Sequence, residues 1–184
     1  MPPSIDVDCS DRAVTAYIGI GSNLGDRATN VRSAVDALAG LPVTRLVARS
    51  SLYATAPVDA GGYDYLNAVV CISTRLEPEA LLQALQVIEA QHGRTRPFVH
   101  APRTLDLDLL TYGDSRIDGD RLVVPHPRLA QRAFVLMPLA EIAPSLVVAG
   151  IGSVAALLPA VAAQRVTRLA GSCGWYSRPS QCSS

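Results

Sequence analysis

Ala101-Pro-Arg-Thr-Leu-Asp-Leu-Asp-Leu-Leu110 is an apolar, strand-favouring run that carries two aspartates two residues apart. Successive side chains of a strand point to opposite faces, so Asp106 and Asp108 are predicted to share one face and the leucines at 105, 107 and 109 the other. Two adjacent carboxylates repel each other, and a cation between them relieves that repulsion. The spacing therefore predicts a Mg²⁺ site, because proteins often hold this ion with one or two carboxylates plus substrate phosphates and water.

The same two aspartates have a second interpretation, in which they form the solvent face of an ordinary amphipathic strand. Aspartate is depleted in strands, and this favours the functional interpretation without removing the other.

The loop just before this strand, residues 94–103, contains three arginines. Several arginines next to a carboxylate pair are typical of a clamp for a polyphosphate, because each guanidinium can bind a phosphate with two hydrogen bonds. Arg103 adjoins the predicted strand and would place such a fork near the metal. A solvated surface loop is the competing interpretation.

The composition is that of a folded chain without a charge bias. Of 184 residues, 49% are hydrophobic and 17% are charged, and 16 basic residues balance 16 acidic ones. This balance gives no support for a nucleic-acid partner, and no apolar run has the length of a membrane span. The four cysteines are widely spaced, without a C-x-x-C pair, so we expect reduced thiols and a cytoplasmic location.

Hydrophobic periodicity predicts the order strand, helix, strand, strand, helix, strand. The predicted strands are 13–20, 43–53, 65–74 and the Asp106 strand, and the predicted helices are one around residues 31–38 and one over 79–91. Later segments are predicted as a hairpin ending at 122–124, a helix over 129–142 with a possible break at Pro138, and an apolar helical cover over 147–169. This order predicts an α+β fold, a ferredoxin-like split βαβ sandwich with a mostly antiparallel sheet and helices packed on its faces.

The domain organisation follows from the same pattern. Residues 1–12 are predicted to be a loose leader, residues 13–170 a single domain, and residues 171–184 a disordered tail. The glycine-containing turn at 21–26 lacks the spacing of a phosphate-binding loop and is predicted to be structural.

Six blocks of sequence follow one another in an order typical of one family. They are Tyr17-Ile-Gly-Ile-Gly-Ser-Asn-Leu-Gly25, Ser51-Leu-Tyr-Ala-Thr-Ala-Pro57, Tyr65-Leu-Asn-Ala68, Ile88-Glu89 with Gly93-Arg-Thr-Arg96, Ala101-Pro-Arg-Thr-Leu-Asp-Leu-Asp108, and Pro125-His126 with Arg132-Ala-Phe-Val-Leu136. Over residues 14 to 150, the chain closely resembles the 6-hydroxymethyl-7,8-dihydropterin pyrophosphokinase family. The resemblance implies transfer of pyrophosphate from ATP to the hydroxymethyl group of this pterin in folate biosynthesis, giving the pterin diphosphate and AMP.

The resemblance also implies roles for individual residues. Asp106 and Asp108 would bind two Mg²⁺ ions, and Arg94 and Arg103 would be the catalytic arginines that hold the phosphates. The nucleotide side would be lined by Gln86, Glu89, Arg96, Arg121, His126 and Arg132. The pterin would bind at Thr55, Pro57, Val58, Tyr65, Asn67 and Phe134, with its ring between Tyr65 and Phe134. By the same resemblance, the protein would be a monomer whose partners are its two small substrates.

Two other classes stand as alternatives. Nucleotide-sugar glycosyltransferases also use a metal-bound D-x-D, but their chains are usually longer and would not need the Tyr65 block or the arginine loop. The second alternative is a non-catalytic paralogue that binds nucleotide or pterin. It is suggested by Val99-His-Ala101, where the family usually carries a basic residue, an aromatic residue and glycine.

Overall fold

A computed structural model describes residues 12–56, 64–92 and 104–170. The predicted leader, apart from Arg12, and the predicted tail lie outside these ranges. The strands are β1 (Val14–Ser22), β2 (Thr44–Arg49), β3 (Tyr53–Thr55), β4 (Tyr65–Thr74), β5 (Asp106–Tyr112), β6 (Ile117–Asp118), β7 (Val123–Val124), β8 (Val147–Val148), β9 (Gly152–Ser153) and β10 (Val166–Arg168). The helices are α1 (Arg27–Ala39), α2 (Pro78–Gln91), α3 (Ala133–Ile142) and α4 (Val154–Val161).

A six-stranded sheet organises these elements, and β4 lies at its centre. β1 pairs with one edge of β4, while β2 and β3 follow one another along the other edge. β5 extends the sheet beyond β1, and β10 extends it beyond β3. Each of these pairings is antiparallel, which confirms the predicted α+β fold with a mostly antiparallel sheet.

The two faces of the sheet belong to two separate cores. Ile18, Val70 and Leu107 point to one face, where they pack in a first core with the apolar sides of α1 and α2. Val69 and Leu110 point to the other face and pack in a second core with residues of α3 and α4. Helices therefore cover both faces, as predicted. Within the described ranges, no helix combines the length and the apolar character that crossing a membrane requires.

The predicted helix faces agree with the structure because helical periodicity is a local property of the sequence. The four apolar positions predicted for α1, at residues 31, 34, 35 and 38, are all buried. Asp26 caps α1 by accepting a hydrogen bond from the Thr29 amide at 3.1 Å, and Pro78 occupies the first turn of α2, where its missing N–H costs nothing.

The predicted strand over 43–53 is divided into β2 and β3. At the division, Ser50 N donates to Val69 O at 2.9 Å, and Val69 N donates to Ser50 Oγ at 3.0 Å. A side-chain oxygen thus takes the place of a backbone carbonyl in the sheet. The chain can then change direction while both segments stay paired with β4.

The later segments also differ in detail from the prediction. The predicted helix over 129–142 starts as a short 3-10 helix, Leu129–Gln131, and α3 begins only after Arg132, whose backbone is extended (φ −119°, ψ 109°). Pro138 lies inside α3 without ending it. The predicted hairpin is formed by β6 and β7. The predicted cover over 147–169 contains α4, but it also contains the β8–β9 hairpin and β10.

Candidate active site

The two aspartates of β5 lie on the face of the sheet opposite the first core. Both side chains are partly buried, whereas Leu107 and Leu109 are buried in that core. The predicted alternation is therefore confirmed. On the neighbouring strand β1, Gly21 pairs with Asp106 and Gly19 pairs with Asp108, so β1 places no side chain beside either carboxylate. The side chain of Leu110 covers Gly19, with Cδ2 3.5 Å from the position that a Cβ would take there.

An asparagine of β4 lies on the other side of Gly21 from Asp106. Gly21 pairs with Asn67 of β4 as well as with Asp106, and directly paired residues of a sheet share a face. Asn67 Oδ1 is 3.4 Å from the position that a Cβ would take at residue 21. Two strand spacings separate the backbones of Asn67 and Asp106, roughly 10 Å. The row has a carboxylate on one side, an amide on the other and glycine between them. We call the space above Gly21, between Asp106 and Asn67, the cleft, and Gly21 its floor.

The side chain of Asn67 is held in a fixed orientation by the adjacent strand β3. Its Nδ2 donates to Thr55 Oγ1 at 3.0 Å and, more weakly, to Tyr53 O at 3.4 Å. These two acceptors assign the nitrogen to the β3 side, so Oδ1 is on the side of Gly21. Tyr65 pairs with Thr55 in the same register. Thr55, Tyr65 and Asn67, three of the residues predicted to bind the pterin, are therefore neighbours in the structure.

An arginine and a histidine from the chain after β7 lie against Asp108. Arg132 Nη1 is 3.3 Å from Asp108 Oδ2, and His126 Nε2 is 3.8 Å from the same oxygen. The Arg132 guanidinium also lies over the ring of Phe134, 5.5 Å from its centroid, a distance at which a cation is attracted to the aromatic face. Arg132 therefore contacts both a predicted metal ligand and a predicted pterin-binding residue.

The ring of His126 is neutral in this setting. Its pKa lies below the ordinary value because burial disfavours the charged form; Asp108 opposes this shift, and Arg132 and Arg128 add to it. Nδ1 accepts a hydrogen bond from Arg128 N at 3.1 Å, so the neutral ring carries its proton on Nε2. His126 can therefore offer an N–H to a ligand beside Asp108 without adding positive charge.

The chain matches the model of one protein family, 7,8-dihydro-6-hydroxymethylpterin-pyrophosphokinase (HPPK), over residues 17–144. The chain belongs to the HPPK family. Two curated proteins named 2-amino-4-hydroxy-6-hydroxymethyldihydropteridine pyrophosphokinase are similar to it. The protein from Methylorubrum extorquens is 48% identical over 136 residues, which cover 73% of this chain and 86% of the relative. The protein from Pseudomonas aeruginosa is 46% identical over 131 residues, covering 71% and 81%.

Solved structures share the fold at much lower sequence identity. A crystal structure of HPPK-DHPS in complex with substrates aligns with a TM-score of 0.66 and 11% identity, covering 80% of this chain. This chain spans 43% of that longer protein. The likeness confirms the ferredoxin-like HPPK fold.

Other residues that the HPPK resemblance assigns to the site are less closely grouped or lie outside the described residues. Gln86 is on the exposed side of α2, and Arg121 is exposed between β6 and β7. Within the described part of the chain, neither of them hydrogen-bonds to Asp108, His126 or Arg132. Five further residues lie outside the described ranges, so their roles stay predictions; these are Pro57, Val58, Arg94, Arg96 and Arg103.

Glu89 contacts the aspartate-bearing strand of this HPPK chain directly. Its side chain is 2% exposed, and Oε1 accepts a hydrogen bond from Leu107 N at 2.9 Å. Leu107 lies between the two aspartates, so this contact fixes the backbone from which both carboxylates project. The contact with ATP predicted for Glu89 stays a prediction.

Sequence reasoning did not identify two residues that anchor the start of β5. Ser22 Oγ donates to Thr104 O at 2.6 Å, and Asn30 Nδ2 donates to Thr104 O at 3.2 Å and to Leu24 O at 2.9 Å. Ser22 and Asn30 therefore hold the backbone two residues before Asp106. A serine and an asparagine near a helix start are common capping residues, and no local pattern indicates a partner 74 or more residues away.

The donor set fits an ion that shares its coordination with substrate. Among the described residues, no group of three His, Cys, Asp or Glu side chains could hold a metal by itself. Mg²⁺ keeps several waters and is usually held by one or two carboxylates together with substrate phosphates. Asp106 and Asp108, partly exposed on one face, are suitable ligands for such an ion.

Proposed function

We propose that this HPPK family member transfers pyrophosphate from ATP to 6-hydroxymethyl-7,8-dihydropterin in folate biosynthesis. The observation that carries the proposal is the row Asp106, Gly21 and Asn67 across three neighbouring strands. It provides the Asp106 carboxylate for a metal–phosphate complex and, on the other side of Gly21, the Asn67 amide for a heterocycle. The curated relatives are named for this pyrophosphokinase activity, which favours the catalytic function over a non-catalytic paralogue.

On the phosphate side, Asp106 and Asp108 would hold two Mg²⁺ ions. When bound, such ions neutralise the charge of the ATP phosphates and the charge that develops during transfer. Arg132 adds a fixed cation beside Asp108. The neutral His126 supplies a hydrogen-bond donor at the same place. In phosphoryl-type transfer the protein contributes mainly positioning and charge stabilisation, and these residues are suited to both.

On the pterin side, Asn67 and Thr55 would recognise the hydrogen-bonding edge of the ring system. A pterin presents an amino group and a ring N–H on one edge, and Asn67 Oδ1 is an acceptor of the kind that these donors require. Tyr65 and Phe134 are partly exposed aromatic residues and would bind the two faces of the ring by stacking. The pterin hydroxymethyl oxygen would then attack the β-phosphorus of ATP, with AMP as the leaving group.

Assaying the purified protein with ATP, Mg²⁺ and the pterin tests this function. We expect AMP and pterin diphosphate in equal amounts, and no AMP when the pterin is omitted. AMP formation that does not depend on the pterin, or no AMP at all, would contradict the proposal. The second outcome is the one expected for a non-catalytic paralogue or a glycosyltransferase.

Replacing Phe134 with alanine should weaken pterin binding much more than binding of ATP. An aromatic pair contributes roughly 0.5–1.5 kcal/mol beyond area burial, so we expect a loss of roughly twofold to tenfold for the pterin from stacking alone. Calorimetry with the pterin, and separately with a non-hydrolysable ATP analogue, measures both affinities. Phe134→Leu is the matched control, since it keeps apolar bulk without a ring. Equal losses for the two ligands would show that Phe134 has a structural role.

Three further features belong to the same proposal. We take residues 13–170 as the single catalytic domain, because both cores of its described parts are built on the faces of one six-stranded sheet. The monomeric state and the cytoplasmic location predicted from the sequence remain proposals. The two small substrates would be the partners of this domain.

A further inference from the structure

A partly buried carboxylate joins α3 to two strands at the edge of the sheet. Glu141 Oε2 accepts hydrogen bonds from Ser51 N at 3.0 Å and from Tyr53 OH at 2.8 Å, and Oε1 accepts one from Ser51 Oγ at 2.8 Å. From β10, Arg168 Nη2 donates to Glu141 Oε1 at 2.9 Å, and Arg168 Nε donates to Ser51 Oγ at 3.0 Å. We call these four residues the Glu141 network.

The Glu141 network is charged and well satisfied. The side chain of Glu141 is 19% exposed, whereas that of Arg168 is 61% exposed. Burial alone would raise the pKa of Glu141, but the hydrogen bonds from Ser51 and Tyr53, with the charge of Arg168, outweigh it and lower the pKa below its ordinary value. The carboxylate is therefore ionised at neutral pH. Hydrogen bonds to a charged group are stronger than those between neutral groups.

The strand held by the network is short and carries a predicted pterin-binding residue. β3 has three residues and pairs with β4 through Tyr53 with Asn67 and Thr55 with Tyr65. On its other side it pairs with β10, where Arg168 is opposite Tyr53. The same strand supplies both acceptors for the Asn67 amide, Thr55 Oγ1 and Tyr53 O. A displacement of β3 would therefore move the Thr55 hydroxyl and change the orientation of the Asn67 side chain.

The carboxylate of the network lies on a helix that is packed into the second core. α3 buries Ala133, Val135, Leu136 and Leu139 in the second core, so Glu141 projects from an element that cannot move without disrupting that core. A three-residue strand has few backbone hydrogen bonds of its own. Its position relative to α3 therefore depends on the contacts that Glu141 makes with Ser51 and Tyr53.

We propose that Glu141 and Arg168 are positioning residues for the pterin site, which fix β3 so that Thr55 and Asn67 present a correctly placed hydrogen-bonding edge. The inference rests on the proposed function and deepens it. Arg168 lies beyond residue 144, where the match to the family model ends. The segment after α4 thus completes a site whose other described residues lie within the matched region.

Replacing Arg168 with alanine tests this role through the two Michaelis constants. β3 carries none of the predicted nucleotide contacts, so we expect the KM for the pterin to rise roughly three- to tenfold, the range that the loss of one or two hydrogen bonds supports, and the KM for ATP to change less than twofold. Arg168→Lys should restore part of the loss, because lysine can pair with Glu141 but cannot also bridge to Ser51. Arg165→Ala, at an exposed arginine three residues earlier, is the matched control and should behave as the wild type.

Tyr53→Phe provides a second variant that keeps the packing of the ring. It removes the hydroxyl that donates to Glu141 and should raise the KM for the pterin while leaving the KM for ATP nearly unchanged. Melting curves check that the variant is folded. Equal changes in both KM values, or an unchanged KM for the pterin in folded Arg168→Ala and Tyr53→Phe, would overturn the positioning role. A wild-type enzyme that forms no pterin-dependent AMP would instead contradict the proposed function, and calorimetric pterin affinities of the variants would still test the positioning.

Discussion

Replacing Asp106 or Asp108 with asparagine is expected to lower turnover by roughly 100-fold or more, the size of effect seen when a group that stabilises transition-state charge is removed. Asparagine keeps the shape of the side chain but loses the charge that would hold Mg²⁺ against the phosphates. Both side chains are partly exposed and face away from the first core, and the substitution removes no apolar atoms. Steady-state kinetics alongside melting curves measure the two effects separately.

The stability of these variants should change little. Asp108→Asn weakens the contact with Arg132, but both side chains of this pair are partly exposed, at 33% and 25%, and an ion pair that solvent reaches contributes only roughly 0–1 kcal/mol. Asp114→Asn, in the exposed turn after β5, makes the same chemical change outside the site and should keep normal turnover. A folded Asp106→Asn or Asp108→Asn enzyme with near-normal turnover would contradict the assignment of metal ligands.

The features that the sequence predicts correctly depend on local periodicity. Asp106 and Asp108 alternate with leucines, and an alternation of period two can be recognised without knowing what lies on either side of the strand. The buried positions of α1 recur at helical spacing for the same reason. The antiparallel sheet follows from the order of these elements. The Asp106 face could therefore be identified as a candidate site before any tertiary contact was known.

The features that could not be predicted depend on contacts between distant residues. Ser51 and Arg168 are 117 residues apart, and nothing local to Val166–Arg168 distinguishes a three-residue strand from the end of an apolar cover. The division between β2 and β3 depends on Ser50 Oγ accepting a hydrogen bond from Val69 N, whereas serine in a sequence usually indicates a turn or a cap. The start of α3 could not be predicted either, because the extended backbone of Arg132 interrupts an otherwise helical pattern.

Gly21 is the residue whose interpretation differs most between the sequence and the structure. In the sequence it begins a turn, but in the structure it lies in β1 between Asp106 and Asn67. Its φ lies outside the left-handed region, so its backbone conformation is open to other residues. Any advantage of glycine at this position is therefore one of space: a side chain here would occupy the floor of the cleft, between the proposed phosphate side and the proposed pterin side.

Gly21→Val is accordingly expected to lower turnover by roughly 100-fold, a loss that a misplacement of about 1 Å between reacting groups can cause. Valine is favoured in strands, so the protein should fold, but its Cβ would stand 3.4 Å from Asn67 Oδ1 with two methyl groups beyond it. Because these atoms lie between the phosphate side and the pterin side, we expect the affinity for each substrate alone to change less than turnover does. Gly21→Ala, which adds the Cβ alone, should have an intermediate effect.

Thr15→Val is the matched control for Gly21→Val, since it introduces the same residue on the same strand and face. Thr15 is exposed and pairs with Ser73, six positions along β1 from Gly21, so turnover should be unchanged. Calorimetry for each ligand, together with pterin-dependent AMP formation, separates loss of binding from loss of alignment. Normal turnover in folded Gly21→Val would mean that the substrates do not meet above this part of β1. A parallel collapse of both affinities would mean that the valine blocks entry to the cleft, whereas retained affinities with lost turnover would support a reaction that takes place directly above the glycine floor.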